Sequence, residues 1–481
     1  MAQTTIRKGF FFYFGLFVLL CIAVFLVSLV IMMFNPGAKI LWMQYFTGNS
    51  VTQVKKLTEG DASINYDTID EISINCDYAN VIVQANEEYR SGKGIYIINR
   101  AKGFTAAKSA TKFSYSVSQT GSELIVDVTE PTGFLFFSKK IDVVINCYQN
   151  WSFGNLKLNV NATGACDVYF GSDGILDDRQ VSLGKIDVET EKGNIYITKN
   201  AVFNGEISLS TNSGRIRALC DNVAIDGETK LKTKSGKINI KNLNVGSNEL
   251  EITNTKGAVA IDDIRANGAY VVCIQGNFVF GKVHTDLDFS RSKDKIVSPI
   301  VNADEITGEF VLVSENDETQ IAPEAYIKKV GGKLTAAATK GKINVKEANG
   351  AIDITSSGSF SEDITIAEDN TNTIVITNKS GAIKITFLGS VGSDVTLKNE
   401  SAKTYVNFTT DAKFTATAKK FSNETEYVAE SNIDVSIDGS SVDYNDSQKS
   451  ELVVNGESLS SGHIYVSTGN KIYYTLIAKA A

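Results

Sequence analysis

Proline is scarce in this sequence, with four residues among 481, far below the usual share of roughly 5%. Glycine, asparagine, threonine and isoleucine are instead abundant. Such a composition favours β-strands that are joined by glycine and asparagine turns. The length accommodates about three domains of ordinary size or one long repeat array.

The chain also lacks an excess of positive charge. It carries 47 lysine and arginine residues against 55 aspartate and glutamate residues, which gives a formal net charge of −8. Proteins that bind nucleic acid usually present a basic surface to the phosphates. The mildly acidic composition therefore argues against nucleic acid as the main partner.

Cysteines are few and widely separated. No C-x-x-C spacing of the kind found in zinc sites occurs, and an odd number lies outside the apolar amino-terminal run described below. This pattern is not a disulfide framework, so we interpret these residues as small buried side chains. They are Cys76, Cys147, Cys166, Cys220 and Cys273.

The strongest single feature is an apolar run at the amino terminus. Residues 10–34 contain no charged side chain over 25 positions, and a helix of roughly 20 residues already crosses the hydrocarbon core of a membrane. The run ends in bulky Met and Phe residues, whereas a cleaved signal peptide ends in small ones. The sequence therefore predicts a transmembrane helix that remains attached to the chain.

The charges beside this run predict its orientation. Arg7 and Lys8 precede it, whereas Lys39 is the only cation in the 20 residues that follow. Positive charge concentrates on the cytoplasmic side of a membrane helix. We therefore expect residues 1–9 in the cytoplasm and the bulk of the chain outside the cell membrane.

A motif of one glycine followed by alternating apolar residues recurs along the chain. Apolar alternation indicates strands with one buried face. The alternation changes phase at each glycine, so the chain must turn a corner there, and we expect glycine because it tolerates positive φ. The first five motif glycines are separated by 21, 22, 21 and 19 residues. The motif glycines are Gly193, Gly214, Gly236, Gly257, Gly276, Gly308, Gly341, Gly350 and Gly381.

A unit of about 21 residues cannot bury its apolar face alone, but units stacked edge to edge bury it at a spacing of about 4.8 Å. The sequence therefore predicts an all-β fold, a β-solenoid or β-helix of about 21-residue coils closed by capping strands. A β-sandwich of hairpins is the alternative. The solenoid is favoured because Thr190, Thr211 and Thr233 recur three residues before the corner and would form one inward column.

The outward positions in this register carry mixed charges. The outward residues that lie six positions before each corner glycine are Asp187, Ser208, Lys230 and Glu251. Cross-strand pairs of opposite charge contribute only a few tenths of a kcal/mol each, but they prevent like charges from stacking. We interpret this surface as a solvated, charge-balanced face, with a polyanion-binding patch as the alternative.

These features divide the chain into six segments. They are a cytoplasmic tip at 1–9, a transmembrane helix at 10–34, a juxtamembrane connector at 35–60, an amino-terminal β region at 61–178, regular coils at 179–390 and a carboxy-terminal β cap at 391–481.

Several stretches resemble a known family. "ISINCDYANVIVQA", "GSELIVDV" and the coils "VETEKGNIYI", "LSTNSGRIRAL" and "LKTKSGKINI" look like the bacterial putative-adhesin family of unknown function, the DUF4097 type. The resemblance covers roughly residues 64–400. It implies an extracytoplasmic β-solenoid, often membrane-tethered and sometimes linked to envelope stress. It implies no catalytic residues.

Candidate catalytic groups are few. His284 and His463 are the only histidines, and neither lies in a nucleophile elbow or an H-E-x-x-H motif. Some β-helix enzymes act on polysaccharides with clustered carboxylates and cations, but adjacent carboxylates on a strand point to opposite faces. We therefore interpret the candidates as solvated turn residues, and we predict no catalytic residue, cofactor or metal site. These candidates are Asp177 and Asp178, or Asp262, Asp263 and Arg265.

The predicted function is that of a membrane-anchored extracytoplasmic binding module, adhesin-like or a scaffold of the envelope. Its expected partners are the membrane and an envelope polymer or a surface protein. A nine-residue cytoplasmic tail is too short to signal alone, so a sensor would need another membrane protein. The alternative is a carbohydrate-active β-helix enzyme that acts on envelope or external glycans.

The predicted orientation can be tested by protease accessibility. Protease added to intact cells or spheroplasts should digest the body of the chain from about residue 38 onward, because that part lies outside the membrane. Western blotting against both ends measures the result. A protected body together with a digested amino terminus would show that the orientation is reversed.

Overall fold

The structure of the protein is a computed structural model. It describes residues 12–27, 50–57, 64–65, 68–77, 79–84, 94–103, 114–129, 137–146, 157–171, 181–199, 201–292, 298–314, 322–389, 392–409, 414–422, 425–427, 435–437, 440–442, 451–454, 463–468 and 472–477.

Residues 12–27 form a helix whose apolar side chains are exposed. Within the described ranges, no helix has both the length and the apolar character that a membrane crossing requires. The remainder of the predicted span at 10–34 lies outside the described residues, as do the tip at 1–9 and residues 35–49 and 58–60 of the connector. The rest of the connector contains the first strand.

Strands make up almost all of the remaining described chain. The amino-terminal strands are β1 (Ser50–Lys56), β2 (Glu71–Cys76), β3 (Ala79–Gln84), β4 (Gly94–Gly103), β5 (Ser114–Thr120), β6 (Glu123–Thr129), β7 (Phe137–Asn146), β8 (Lys157–Ala162), β9 (Val168–Phe170) and β10 (Val181–Leu183).

The strands of the first regular coils are β11 (Ile186–Thr190), β12 (Ile195–Ile197), β13 (Ala201–Phe203), β14 (Ile207–Thr211), β15 (Arg215–Ala218), β16 (Asn222–Ala224), β17 (Thr229–Thr233), β18 (Lys237–Asn244), β19 (Glu249–Asn254), β20 (Ala258–Arg265), β21 (Gly268–Cys273), β22 (Gln275–Val283) and β23 (Leu287–Asp288). A 3-10 turn follows at Ser290–Ser292.

The later strands are β24 (Ser298–Ile306), β25 (Phe310–Ser314), β26 (Glu324–Val330), β27 (Leu334–Ala338), β28 (Lys340–Ala348), β29 (Ile352–Ser356), β30 (Ser359–Ile366), β31 (Ile374–Asn378), β32 (Ile383–Phe387), β33 (Val395–Asn399) and β34 (Thr404–Thr409). The last are β35 (Phe414–Ser422), β36 (Thr425–Tyr427), β37 (Val435–Ile437), β38 (Ser440–Val442), β39 (Glu451–Val454), β40 (His463–Thr468) and β41 (Ile472–Ile477).

The fold is a β-solenoid of about ten turns, and this confirms the predicted architecture over the β-sandwich. Each coil adds one strand to each of two parallel sheets. Sheet A runs from β9 and β12 to β34, and sheet B runs from β8 and β11 to β33. All strand pairs between these limits are parallel. The predicted threonine column is present, since Thr190 pairs with Thr211 and Thr211 with Thr233.

The core lies between the two sheets and consists of the inward side of every coil. In one coil, Leu250 and Ile252 of sheet B face Val259 and Ile261 of sheet A, and all four are buried. Sheet A then bends at Asp262 and Asp263, which interrupt the alternation of buried and exposed side chains, and Ile264 is buried again. The alternation read from the sequence therefore continues through the whole stack as one apolar core.

The corner glycines serve a different purpose from the expected one. Among the motif glycines only Gly341 has a positive φ, of 136°, so the expectation of positive φ is wrong for the others. A Cβ atom on Gly214, Gly236 or Gly257 would overlap the carbonyl oxygen of the corner glycine in the preceding coil. Glycine is therefore required because successive backbones approach too closely for any side chain.

The inward column beside the corner supplies hydrogen-bond acceptors. The amide N–H of Gly214 donates to Thr211 Oγ1 at 3.0 Å, and that of Gly236 donates to Thr233 Oγ1 at 2.8 Å. In the next coil Asn254 takes the same position, and its Oδ1 accepts from the Gly257 amide at 2.6 Å. Buried amides that lack a partner are costly, so these side chains allow the corner to lie inside the core.

Both ends of the stack depart from sequence order. At the amino-terminal end, β2 and β3 lie between the coil of β6–β7 and that of β8–β9, and β4 and β5 are added antiparallel. At the other end, β40 and β41 stack on β33 and β34, and β35 is added beyond β40. These strands cover sheet edges that would otherwise present free N–H and C=O groups.

A buried carboxylate interrupts the apolar core of the later coils. Glu362 is only 2% exposed and pairs in sheet A between Ile343 and Ile383. Asn378 Nδ2 donates to its Oε2 at 3.2 Å, whereas Oε1 has no hydrogen-bond partner among the residues that the structure describes. Burial raises the pKa of Glu362 well above its ordinary value of 4.5, and the bond from Asn378 offsets part of this effect.

The close approach of the backbones at the corner glycines predicts that one added methyl group lowers stability strongly. Gly236→Ala should lower the free energy of unfolding by about 3 kcal/mol or more, because the new Cβ overlaps backbone and cannot move away. In the control Gly246→Ala, the added methyl meets open space and only the turn is strained, so the loss should be about 1 kcal/mol. Thermal unfolding measures both variants. Equal losses would contradict the close approach of the coils.

The buried carboxylate predicts a pH-dependent stability. Folding raises the pKa of Glu362, so the protonated carboxyl group contributes its full stability below pH 4.5. This contribution is lost as the pH rises through the folded-state pKa and the group must ionise inside the core. Glu362→Gln should therefore raise the melting temperature at pH 8, and the gain should shrink toward pH 4. The exposed control Glu400→Gln should show no such trend. A gain that is independent of pH would refute the assignment.

Candidate functional site

Side chains on the outer side of sheet A form one continuous row along the stack. We call this set the outer row, and it runs across the coils perpendicular to the strands. Tyrosines lie at both ends and near the middle, while amide, apolar and charged side chains lie between them. In stacking order its members are Tyr169, Tyr196, Arg217, Asn239, Ala260, Val279, Asn302, Tyr326, Asn344, Asp363, Lys384, Tyr405 and Tyr473.

A groove of about 410 Å³ opens beside the middle of the outer row. It lies at the bend of sheet A, where Gly281 has no side chain while the coils on either side carry Asp262 and Asp304. A Cβ on Gly281 would overlap the carbonyl oxygen of Asp262. The close packing of the coils therefore requires glycine here, and the missing side chain creates the groove.

The groove combines an aromatic ring with two amides. Tyr326 of β26 lies between Asn302 of β24 and Asn344 of β28 in the outer row, and all three line the groove. The Tyr326 hydroxyl donates to Glu324 Oε2 at 2.7 Å, and this bond raises the pKa of Tyr326. The Lys342 ammonium lies 5.2 Å from the centre of the ring. These contacts hold the ring in one orientation.

The groove is acidic on one side and basic on the other. Asp262 and Asp304 line one part, whereas Lys328 and Lys346 line the other. The Lys328 ammonium lies 2.7 Å from Asp304 Oδ1, with the two side chains 73% and 62% exposed. Exposed pairs of this kind contribute little to stability. The charges are therefore available to a polar ligand, and the groove as a whole carries no strong net charge.

The structure separates the two adjacent aspartates that the sequence singled out. Asp262 lines the groove, whereas the Asp263 carboxylate contacts His284 Nε2 at 3.0 Å and accepts from Arg265 Nε at 3.3 Å. These two carboxylates therefore do not act together. Asp177 and Asp178 lie outside the described residues, and so does the side chain of His463.

A different pair of carboxylates, which the sequence did not single out as a pair, shares the groove. Asp262 and Asp304 occupy the same position in coils two steps apart, a spacing of about 10 Å between their backbones. Inverting glycosidases place two carboxyl groups at about 6.5–9.5 Å. However, Asp304 is neutralised by Lys328 and largely exposed, whereas a general acid needs a desolvated pocket. The arrangement suits binding better than catalysis.

A second groove of about 520 Å³ lies farther along the bend. Its Lys329 and Glu347 are paired at 2.6 Å. Its Asn370 side chain donates to the carbonyl oxygens of Ala348 and Gly350 at 3.0 and 2.9 Å. These groups serve the fold, so we do not assign a ligand to this groove.

The described parts of the chain contain no cluster of three or more metal-ligating side chains with the geometry of an ion site. Of the cysteines predicted to be buried, Cys76, Cys166 and Cys273 are buried, and Cys220 is partly exposed. Cys147 lies outside the described residues.

The outer side of sheet B has the expected mixed charges. Asp187, Ser208, Lys230 and Glu251 pair in register, which confirms the predicted column. Lys185 contacts Glu206 of the next coil at 2.7 Å. This face has no continuous basic patch among its described residues, so we interpret it as a solvated surface.

No protein-family model and no curated protein matches the chain. Similar solved structures include a putative adhesin from Bacteroides fragilis, with 12% identity and a TM-score of 0.26 over 62% of this chain and 96% of that one. A putative adhesin from Parabacteroides merdae has 9% identity and a TM-score of 0.24, over 71% of this chain and 95% of that one. A putative cell adhesion protein from Clostridium sporogenes has 9% identity and a TM-score of 0.21, over 62% of this chain and 99% of that one. Similarities of this size assign no family and no function, and the DUF4097 resemblance stays a prediction.

Proposed function

We propose that the chain is a membrane-anchored surface module that binds an extended glycan along the outer row of sheet A without chemical turnover. The observation that carries this proposal is the groove at Gly281, in which one oriented tyrosine lies between two asparagine amides. Its volume of about 410 Å³ falls within the range of small-ligand sites.

The side chains of the groove match the chemistry of a sugar ring. Sugars present hydroxyl groups around their edge and apolar C–H groups on their faces. The face of Tyr326 offers an apolar surface with a polar tip. Each asparagine amide can donate to one hydroxyl and accept from another. Asp262 and Lys346 add charge-assisted hydrogen bonds at the margins of the groove.

The shape of the rod favours a polymer over a single sugar. The outer row crosses the strands at intervals of about 4.8 Å, so a linear chain that lies along it contacts several coils at once. Many weak contacts on one ligand raise the total affinity strongly. The stacked pairs Tyr169–Tyr196 and Tyr405–Tyr473, with ring centres 4.8 and 4.9 Å apart, offer further aromatic surface on the same row.

The proposed location follows from the apolar run. A helix over residues 10–34, with Arg7 and Lys8 on its cytoplasmic side, would hold the solenoid outside the cell membrane. A stack of about ten turns extends about 50 Å. Such a rod would present the outer row to envelope or external polymers at some distance from the lipid.

A glycan-cleaving enzyme is the second candidate function. It is favoured by the shared position of Asp262 and Asp304 in the groove, at a spacing of about 10 Å between their backbones that approaches the range of inverting glycosidases. A count of reducing ends in the glycan distinguishes the two functions, because binding leaves their number unchanged whereas hydrolysis increases it.

The test is co-sedimentation of the full chain, in mild detergent, with peptidoglycan sacculi, chitin and cellulose, together with a soluble glycan array. Tyr326→Ala should weaken binding to the selected polymer by at least about tenfold, or about 1.4 kcal/mol, because the central ring is lost. The matched control is Tyr270→Ala, an outward tyrosine of sheet B, which should bind as the unaltered chain does.

Three results would overturn the proposal of binding without turnover. The first is the absence of binding to all of these polymers, and the second is an equal loss of binding in the Tyr270→Ala control. The third is release of reducing ends that disappears in Asp262→Asn or Asp304→Asn while binding persists, which would establish the enzyme. Equal melting temperatures of the variants would confirm that each change acts on the ligand and not on the fold.

A further inference from the structure

Two cysteines that are distant in the sequence meet in the core near the amino-terminal end of the stack. Cys76 is the last residue of β2, and Cys166 lies between β8 and β9. Their Sγ atoms are 3.1 Å apart across 90 residues of sequence. Both side chains are buried, at 4% and 0% exposure.

The stacking of the coils fixes this meeting. Strands β2 and β8 pair in parallel, with Cys76 opposite Ala162, so the corner that follows β8 lies directly beside the end of β2. The carbonyl group of Cys166 in turn lies against Gly193, the first corner glycine. Backbone packing from both sides therefore holds the two sulfur atoms together.

The separation is short for two sulfur atoms that are not bonded to each other. A disulfide has a sulfur–sulfur distance of about 2.05 Å, so a movement of about 1 Å closes the pair. Neither thiol suits reactive chemistry in the folded chain. The hydrogen bond with Cys76 and burial raise the pKa of Cys166, and a buried thiol is a poor nucleophile that no substrate can reach.

We propose that Cys76 and Cys166 form a disulfide when the chain folds in an oxidising compartment, and that this bond links the coil of β2 and β3 to the coil of β8 and β9. The proposal rests on the extracytoplasmic location given above, since disulfides persist there and are rare in the cytoplasm. It goes beyond the interpretation of these cysteines as small buried side chains, since both are free thiols in the structure.

The oxidant is the disulfide of a thiol–disulfide oxidoreductase or of glutathione. The thiolate of one cysteine attacks that disulfide, breaks its S–S bond, forms a mixed disulfide and releases one sulfur of the oxidant as a thiolate. The second cysteine thiolate then attacks the mixed disulfide and displaces the other sulfur of the oxidant. The two cysteines lose two protons and two electrons, and the oxidant is reduced to the dithiol of the oxidoreductase or to two molecules of glutathione. The exchange must precede closure of the coil, because burial afterwards prevents access.

The test is refolding of the full chain in mild detergent, from the reduced and denatured state, with reduced and oxidised glutathione. Free thiols are then blocked with iodoacetamide and the chain is digested with trypsin. Cys76 falls in the peptide 57–90, Cys147 in 141–157 and Cys166 in 158–179, so each peptide identifies one cysteine. We expect peptides 57–90 and 158–179 to be joined, with the mass of two hydrogen atoms missing.

Alkylation of both Cys76 and Cys166, or linkage of either to Cys147, would overturn the proposal. This assay requires no membrane, so an error in the proposed location or in the glycan site leaves its result unchanged.

A stability measurement provides a second readout. Cys166→Ala should lower the melting temperature of the oxidised chain by several degrees more than Cys273→Ala, an equally buried cysteine of a later coil. Reduction of the unfolded chain, followed by refolding and melting in dithiothreitol, should abolish this difference, because the disulfide is then absent from both variants. A difference that persists in dithiothreitol would instead indicate ordinary packing and would contradict the bond.

Discussion

The close approach of successive backbones at the corner of each coil is the constraint on which the rest of the structure depends. Parallel strands stack at about 4.8 Å, and at the corner this spacing leaves no room for a Cβ atom. Glycine follows from that distance at Gly214, Gly236 and Gly257. A corner buried so tightly also needs an acceptor for its amide, and Thr211, Thr233 and Asn254 supply it. The repeated sequence is the consequence of one repeated distance.

Much of this architecture could be predicted from the sequence, because a repeated distance produces repeated residues. The alternation of apolar residues, the change of phase at glycine and the column from Thr190 to Thr233 were sufficient to predict a solenoid and its register. The reason for the glycines was not predicted correctly, because a sequence motif does not distinguish a positive φ from a close contact. Both require the absence of a side chain.

The groove and the thiol pair could not be predicted, for a different physical reason. Both depend on which coil lies beside which. The spacing between motif glycines varies in the later coils, so the alignment of Asp262, Gly281 and Asp304 at one bend was not visible in the sequence. Cys76 and Cys166 meet only because the coil of β2 and β3 is inserted between later strands. Insertions out of sequence order leave no periodic signal.

The close stacking of the coils restricts the inward side chains far more than the outward ones. Most inward positions of the coils hold apolar, threonine, serine or asparagine side chains, and at Glu362, a departure from this pattern, burial raises the pKa of the carboxyl group. Outward positions contribute only tenths of a kcal/mol, so they can vary from coil to coil with little cost to the fold. The side chains of the outer row vary in this way, since they change from tyrosine to amide to charged residues while the backbone geometry of the coils stays the same. At Gly281 the packing of the coils forbids a side chain, and the resulting gap is the groove that we propose as the glycan site.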